Sequence, residues 1–123
     1  HNYCENCVAY IGTHDNNTLL GWIWDLDENT RKTVLNYCSF SGDDWGKGGY
    51  TSLSCRSVIE TVMKSAASLV VIPFQDLCGF GSDARMNIPG VPKDNWRFRT
   101  TTDTINNVDV SYFNYINRLF FRV

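Results

Sequence analysis

The sequence has no hydrophobic run that could cross a membrane. Its longest apolar stretch, residues 68–74, is strand-sized, whereas a spanning helix needs roughly 20 residues. No basic segment followed by an apolar core marks a signal peptide. Positive charge is not in excess either. The formal net charge of −2 argues against binding of a nucleic acid through its phosphate groups. We therefore expect no membrane and no nucleic-acid partner. The chain also lacks an initiator Met, which hints that it begins inside a longer protein.

The cysteine pattern lacks the pairs that a disulfide framework or a zinc site requires. Five cysteines are an odd number, which argues weakly against a secreted framework, and free thiols suit a reducing cytoplasm. Cys4-x-x-Cys7 is compatible with a redox motif or with half of a zinc site, but the second close pair that a zinc site requires does not follow. The pair also precedes a strand-like run instead of opening a helix that would lower a thiol pKa. We expect free thiols, no metal and a cytoplasmic protein.

Hydrophobic patterns predict two strands separated by helices. Residues 7–12 form a short apolar run that predicts a buried strand, and residues 68–74 predict a strand covered on both faces. Strands joined by helical crossovers indicate an α/β architecture in which the strands are parallel. Helix starts are predicted by capping residues and by the apolar periodicity that follows them. These starts are Asn17 or Thr18, Asp27, Ser52, and Asp109 or Ser111. The first of these helices has little polar surface and should be buried.

Polar residues follow both predicted strands. Residues 12–16 (GTHDN) follow the first, and Gln75 and Asp76 follow the second. Active sites of α/β proteins lie at the C-terminal ends of parallel strands, so both segments should open onto one face. His14 and Asp15 are adjacent and should point in different directions, so they would not form a relay pair by themselves. A carboxylate here could act in catalysis; alternatively, Asp15 caps a helix and His14 bonds a carbonyl, and spacing favours neither.

Two longer blocks carry a specific resemblance. Tyr10–Trp22 (YIGTHDNNTLLGW) resembles the Tyr-x-Gly-Thr-His-Asp-Asn-x-Thr-x-x-Gly-Trp block of the 4-α-glucanotransferases, also called amylomaltases or disproportionating enzymes. Ile72–Trp96 (IPFQDLCGFGSDARMNIPGVPKDNW) resembles their Pro-Leu-Gln-Asp-x-x-Gly-x-Gly-x-x-Ala-Arg-Met-Asn-x-Pro-Gly segment, which Asn-Trp follows. The two blocks stand in the family's order and cover most of the informative chain.

The resemblance implies a fold and an activity. The fold is a (β/α)8 TIM barrel of the α-amylase clan. Because such a barrel takes about 250 residues, residues 1–123 would be only a C-terminal fragment of it. This fragment would hold the last two parallel strands and their helices. The activity is transfer of α-1,4-glucan segments, from maltooligosaccharide, starch or glycogen, to an acceptor glucan by retaining double displacement, with no cofactor. The family's nucleophilic Asp and acid/base Glu have no counterpart here. The fragment alone should therefore be inactive without the N-terminal part of the same enzyme.

The resemblance also implies residue roles. Asp15 matches a second active-site Asp that grips sugar hydroxyls in the −1 subsite and favours an oxocarbenium-like ring, and His14 matches a neighbouring His that contacts the same sugar. Asn87 is expected to contact the donor glucan. Arg85 is expected to be a structural salt-bridge partner. Contacts at the rim of the cleft, or just behind it, are expected of Asn16, Gln75 and Asp76.

Several aromatic residues in polar or Gly-rich surroundings could stack on sugar rings. Trp45, in the loop SGDDWGKGGY, is the best candidate for stacking. For most aromatic residues of the chain we favour the alternative, which is ordinary packing. The others are Tyr50, Trp96 and Phe98. A different class of function also stays open, namely a non-catalytic module that binds glucan, or that binds zinc through Cys4 and Cys7.

Overall fold

The computed structural model describes residues 1–123 and shows two parallel strands connected by helices. Strand β1 (Val8–Tyr10) pairs with β2 (Leu69–Val71), with Val8 opposite Leu69 and Tyr10 opposite Val71. The predicted α/β architecture with parallel strands is thereby confirmed. The helices are α1 (Leu19–Asp25), α2 (Glu28–Tyr37), α3 (Leu53–Met63), α4 (Phe74–Leu77), α5 (Thr102–Asn106) and α6 (Val110–Leu119), and a short 3-10 helix spans Ser82–Ala84. None of them combines the length and the apolar character that crossing a bilayer requires.

Side-chain caps begin the long helices where the sequence predicted. The Thr18 hydroxyl accepts a hydrogen bond from the backbone N–H of Gly21, and the carboxylate of Asp27 accepts two from the first turn of α2. Ser52 caps α3 and Asp109 caps α6 in the same way. These bonds satisfy N–H groups that have no partner within the helix. Helix α5 was not predicted, because its five residues bury no side chain and so carry no apolar periodicity.

The hydrophobic core lies where α1, α3 and α6 meet. The most deeply buried large side chains are Leu20 and Ile23 from α1, Ile59 from α3 and Ile116 from α6. The partly buried Val70 of β2 packs against this cluster, so the core also supports the sheet. Because residues 11–18 connect β1 to α1, the packing of α1 in the core fixes one end of that loop.

One face of the sheet is open, so residues 1–123 do not by themselves bury the strands as predicted. Only Ala9 of β1 is buried, whereas Val8, Tyr10 and Leu69 are 47%, 54% and 55% exposed. Successive strand residues point to opposite faces, so Val8 and Tyr10 share the open face with Leu69, which is opposite Val8. Helices of this chain cover only the other face. Helix α1 is likewise only half buried, because Trp22 and Trp24 are exposed.

Replacing the cap of α1 should have a measurable effect on stability. Thr18 is 6% exposed, and its Oγ1 accepts from Gly21 N at 3.1 Å. In the full-length protein that contains this chain, Thr18→Ala is expected to lower the free energy of unfolding by about 1 kcal/mol. Urea denaturation measures the change. Thr33→Ala is the control, since the exposed Thr33 hydroxyl bonds only the carbonyl of Asn29 within α2; an equal loss in both variants would contradict the capping role.

Candidate active site

A cavity of about 620 Å³ lies at the C-terminal ends of the two strands. Residues 12–18, which follow β1, form one wall. Pro73, Gln75 and Asp76, which follow β2, contribute to the opposite wall together with Arg85 and Met86. The prediction that both segments open onto one face is therefore confirmed. The parallel register brings these segments together, because each leaves the same edge of the sheet.

The loop after β1 is shaped by Asn16. Its Oδ1 accepts hydrogen bonds from the backbone N–H of Thr13 at 2.8 Å and from the Thr13 hydroxyl at 2.9 Å. The backbone N–H of Asn16 donates in turn to the Thr13 carbonyl at 3.1 Å. Asn16 lines the cavity as expected, but its side-chain oxygen already serves the turn. The turn leaves His14 and Asp15 at the exposed tip of the loop.

His14 and Asp15 approach each other, which corrects the expectation that they point apart. His14 Nε2 lies 3.3 Å from Asp15 Oδ1, and the side chain of Asp15 is 50% exposed. Their purely structural alternatives are not observed, because Thr18 caps α1 in place of Asp15 and the ring of His14 contacts no carbonyl by a hydrogen bond. The ring of His14 lies instead against that of Trp96, with 5.2 Å between the ring centroids and a tilt of 34°.

The two motif blocks meet at the carboxylate of Asp15. Asn87 Nδ2 donates to Asp15 Oδ1 at 2.6 Å. Arg85 donates from Nη2 to the Asp15 carbonyl at 2.7 Å and from Nε to the Asn87 carbonyl at 2.8 Å. Arg85 was predicted to be a salt-bridge partner, and this is corrected: it holds two backbone carbonyls and no carboxylate. It thus fixes the two residues whose side chains bond each other.

Asp76 is buried in the wall of the cavity. It is 3% exposed, and its Oδ1 accepts from the backbone N–H of Leu19 at 2.7 Å. Burial raises the pKa of its carboxyl group to about 6, because the charged form loses hydration, while the bond from Leu19 acts in the opposite direction. Gln75 also lines the cavity and donates to the carbonyl of Ala84 at 3.3 Å. Both residues brace the backbone around the site.

Trp96 is the site residue that sequence reasoning weighted too little. Its backbone has a φ of 62°, a left-handed conformation that is costly for a bulky residue, and the residue is 51% exposed. The backbone N–H of Trp96 donates to the Met86 carbonyl at 2.7 Å, and the backbone N–H of Ile88 donates to Asn95 Oδ1. These two bonds tie together the ends of the loop between Met86 and Trp96. The available signal was the Asn-Trp pair that ends the second block.

Trp45, the preferred stacking candidate, lies outside this cavity. The guanidinium of Arg31 covers its ring, with 3.8 Å from Cζ to the ring centroid, and the ring packs against the hydrophobic core. One face of the ring is thus taken by a side chain of the same protein. Trp45 therefore does not line the cavity that holds Asp15, and the contacts that its ring makes within this chain are packing contacts.

No cysteine lines the cavity of the candidate site. All five are free, and Cys7 donates to the carbonyl of Cys4 at 2.9 Å. No group of three or more His, Cys, Asp or Glu side chains is placed to hold a metal ion.

Comparisons with known proteins agree in one family. A family model described as 4-alpha-glucanotransferase matches residues 1–104. A 4-alpha-glucanotransferase of Synechocystis sp. is 36% identical over 121 residues, which are 95% of this chain and 22% of the relative. The chloroplastic/amyloplastic 4-alpha-glucanotransferase of Solanum tuberosum is 40% identical over 111 residues, 89% of this chain and 18% of the relative. The structure of an amylomaltase from Streptococcus agalactiae in complex with acarbose superposes with a TM-score of 0.85 at 27% identity, covering 99% of this chain and 23% of that one. The chain thus spans about a fifth of the length of these relatives.

Proposed function

Because the chain belongs to the 4-alpha-glucanotransferase family, we propose that it forms the C-terminal part of a (β/α)8 barrel and supplies one carboxylate, Asp15, to the transfer of α-1,4-glucan segments between glucans. The observation that carries this proposal is the bond of 2.6 Å between Asn87 and Asp15, which joins the two motif blocks at the C-terminal ends of the parallel strands. In (β/α)8 enzymes the active site is built at this end of the strands.

The open face of the sheet supports the barrel. Val8, Tyr10 and Leu69 stand exposed on the face that the helices of this chain leave uncovered. The inward faces of barrel strands are filled by side chains from the other strands. We infer that these three side chains face the barrel interior and that further strands of the same enzyme cover them. Residues 1–123 are then one fragment of the catalytic domain.

The geometry around Asp15 suits the stabilisation of a positively charged sugar ring. Retaining glycoside chemistry uses a nucleophile and an acid/base carboxyl group roughly 5 Å apart, and we assign both to the part of the enzyme outside this chain. Asn87 occupies Oδ1 of Asp15, and Oδ2 has no hydrogen bond within the chain. Oδ2 is therefore free to accept from sugar hydroxyls, in bonds that strengthen as charge develops on the ring. His14, beside it, contacts the same sugar.

Transfer, rather than hydrolysis, requires a second glucan to reach the covalent intermediate before water does. A bound acceptor has a high effective concentration, which favours its attack. The half-exposed ring of Trp96 beside His14 offers an aromatic face to such a sugar. Asn87 would contact the donor glucan, while Asn16, Gln75 and Asp76 support the cavity wall. The free thiols suit the cytoplasm that we propose as the enzyme's location.

Glucose release from maltotriose tests the proposal. The full-length protein is expected to release glucose and to form longer maltooligosaccharides, whereas the 123 residues alone are expected to release none. Adding the complementary N-terminal part should restore activity if the two parts assemble. Robust activity of the 123 residues alone would refute the incomplete site. Maltooligosaccharide binding by the full-length protein without any transfer would instead favour the non-catalytic glucan-binding module.

A further inference from the structure

The bond between Asp76 and α1 joins the two strand-end segments in the interior of the protein. Asp76 follows β2, and Leu19 is the first residue of α1, immediately after the loop that carries His14 and Asp15. The bond of 2.7 Å between Asp76 Oδ1 and the N–H of Leu19 is buried, unlike the bonds of Arg85 and Asn87 to the same loop. A second link lies nearby, where Asn17 Nδ2 donates to Ser82 Oγ at 3.1 Å.

We propose that Asp76 is a positioning residue, whose ionised carboxylate anchors the start of α1 and so holds the loop of His14 and Asp15 in the geometry that glucan transfer needs. This inference rests on the proposed function, and of the two sequence-based expectations for Asp76, a place at the rim of the cleft or just behind it, it adopts the second. The reason is placement: at 3% exposure the carboxylate is directed to a backbone N–H and offers a sugar almost no surface. A charged acceptor also makes a stronger hydrogen bond than a neutral one.

The ionised form is retained at a cost in stability. Burial raises the pKa of Asp76 to about 6, above the ordinary value of 3.8, so folding favours the protonated form. The stabilisation from the bound proton is full below pH 3.8 and is lost as the pH rises through about 6. At neutral pH the fold therefore carries a buried charge that a neutral isostere would remove. Such a cost is typical of a group kept for function.

The other ionisable groups around Asp76 are few. From α3, the thiol of Cys55 has a pKa raised mainly by burial and also by the charge of Asp76, so it stays neutral near pH 6. From the loop after β1, His14 and Asp15 line the same cavity, and Arg85 lines it from the segment after β2. Since these groups remain when Asp76 is replaced, a ratio of wild type to variant isolates the contribution of Asp76.

Asp76→Asn in the full-length protein tests the inference, with Asp83→Asn as the matched control on an exposed acid of the same segment. We expect kcat for maltotriose transfer at pH 7.5 to fall roughly tenfold with KM within about twofold, because the hydrogen bond survives without its charge. The ratio of wild-type to variant kcat should approach one below about pH 5 and rise through about pH 6.

Hydrogen–deuterium exchange of residues 12–21 supplies a readout that does not depend on activity. It should be faster in Asp76→Asn than in wild type or Asp83→Asn. A full-length protein without transferase activity would overturn the proposed function, while the exchange data would still decide the anchoring role. A raised KM at unchanged kcat, a ratio that does not vary with pH, or unchanged exchange would each overturn the positioning role of Asp76.

Discussion

Replacing Asp15 with Asn in the full-length protein is expected to lower kcat for glucan transfer by roughly a thousandfold, while KM changes by less than about threefold. The amide keeps the shape of the side chain and its acceptor for Asn87 Nδ2. It removes the negative charge that would stabilise the oxocarbenium-like ring, and this interaction matters mainly in the transition state. Steady-state kinetics of glucose release from maltotriose measure the effect.

Asp43→Asn is the matched control for this substitution. Asp43 is exposed and lies beside a different surface cavity, near Arg31. Its variant should retain wild-type kcat and KM. An Asp15→Asn enzyme within about tenfold of wild type would show that Asp15 is not the stabilising carboxylate. A thousandfold loss that appeared only in KM would assign it to substrate binding alone.

Replacing Arg85 with Met is expected to cost about ten- to hundredfold in kcat. Arg85 makes charge-assisted hydrogen bonds to the carbonyls of Asp15 and Asn87, at 2.7 and 2.8 Å, and a bond to a charged donor contributes about 1.5–3 kcal/mol. Met keeps an unbranched apolar stem but donates no bond, so the two side chains lose their common support. Kinetics of the single variant measure the loss.

A control variant and a double variant distinguish loss of the support that Arg85 gives to Asp15 from general disruption of the fold. Arg97→Met removes an arginine whose exposed ion pair with Asp94 contributes little, so its kinetics should match wild type. If Arg85 acts through Asp15, adding Arg85→Met to Asp15→Asn should cost less than it does alone. Fully additive losses would show that the two residues act independently.

The sequence predicted the long elements of the fold because their signals are local. Thr18, Asp27 and Ser52 precede apolar residues at helical spacing, and a cap and the face behind it lie within a few turns. Residues 1–123 do not by themselves bury the strands on both faces, since burial depends on which elements cover a face. An apolar run such as that around Leu69 is compatible with a covered strand, but this chain covers only one side of its sheet.

The candidate site could be predicted as a location but not as a set of contacts. The strand-end rule and the family resemblance placed Asp15, His14 and Asn87 together, and the structure joins them. The bond of Arg85 to the Asp15 carbonyl spans 70 positions of the chain, so no local pattern reveals it. For the same reason, only the three-dimensional structure reveals that Asp76 is buried against α1.

A crystal structure of the full-length protein with acarbose tests the central claim most directly. If Asp15 is the stabilising carboxylate, one ring of acarbose should occupy the cavity of about 620 Å³. The free oxygen Oδ2 of Asp15 should then lie about 2.5–3.0 Å from a hydroxyl of that ring. Acarbose bound elsewhere on the protein, with no sugar atom within hydrogen-bond distance of Asp15, would contradict the account.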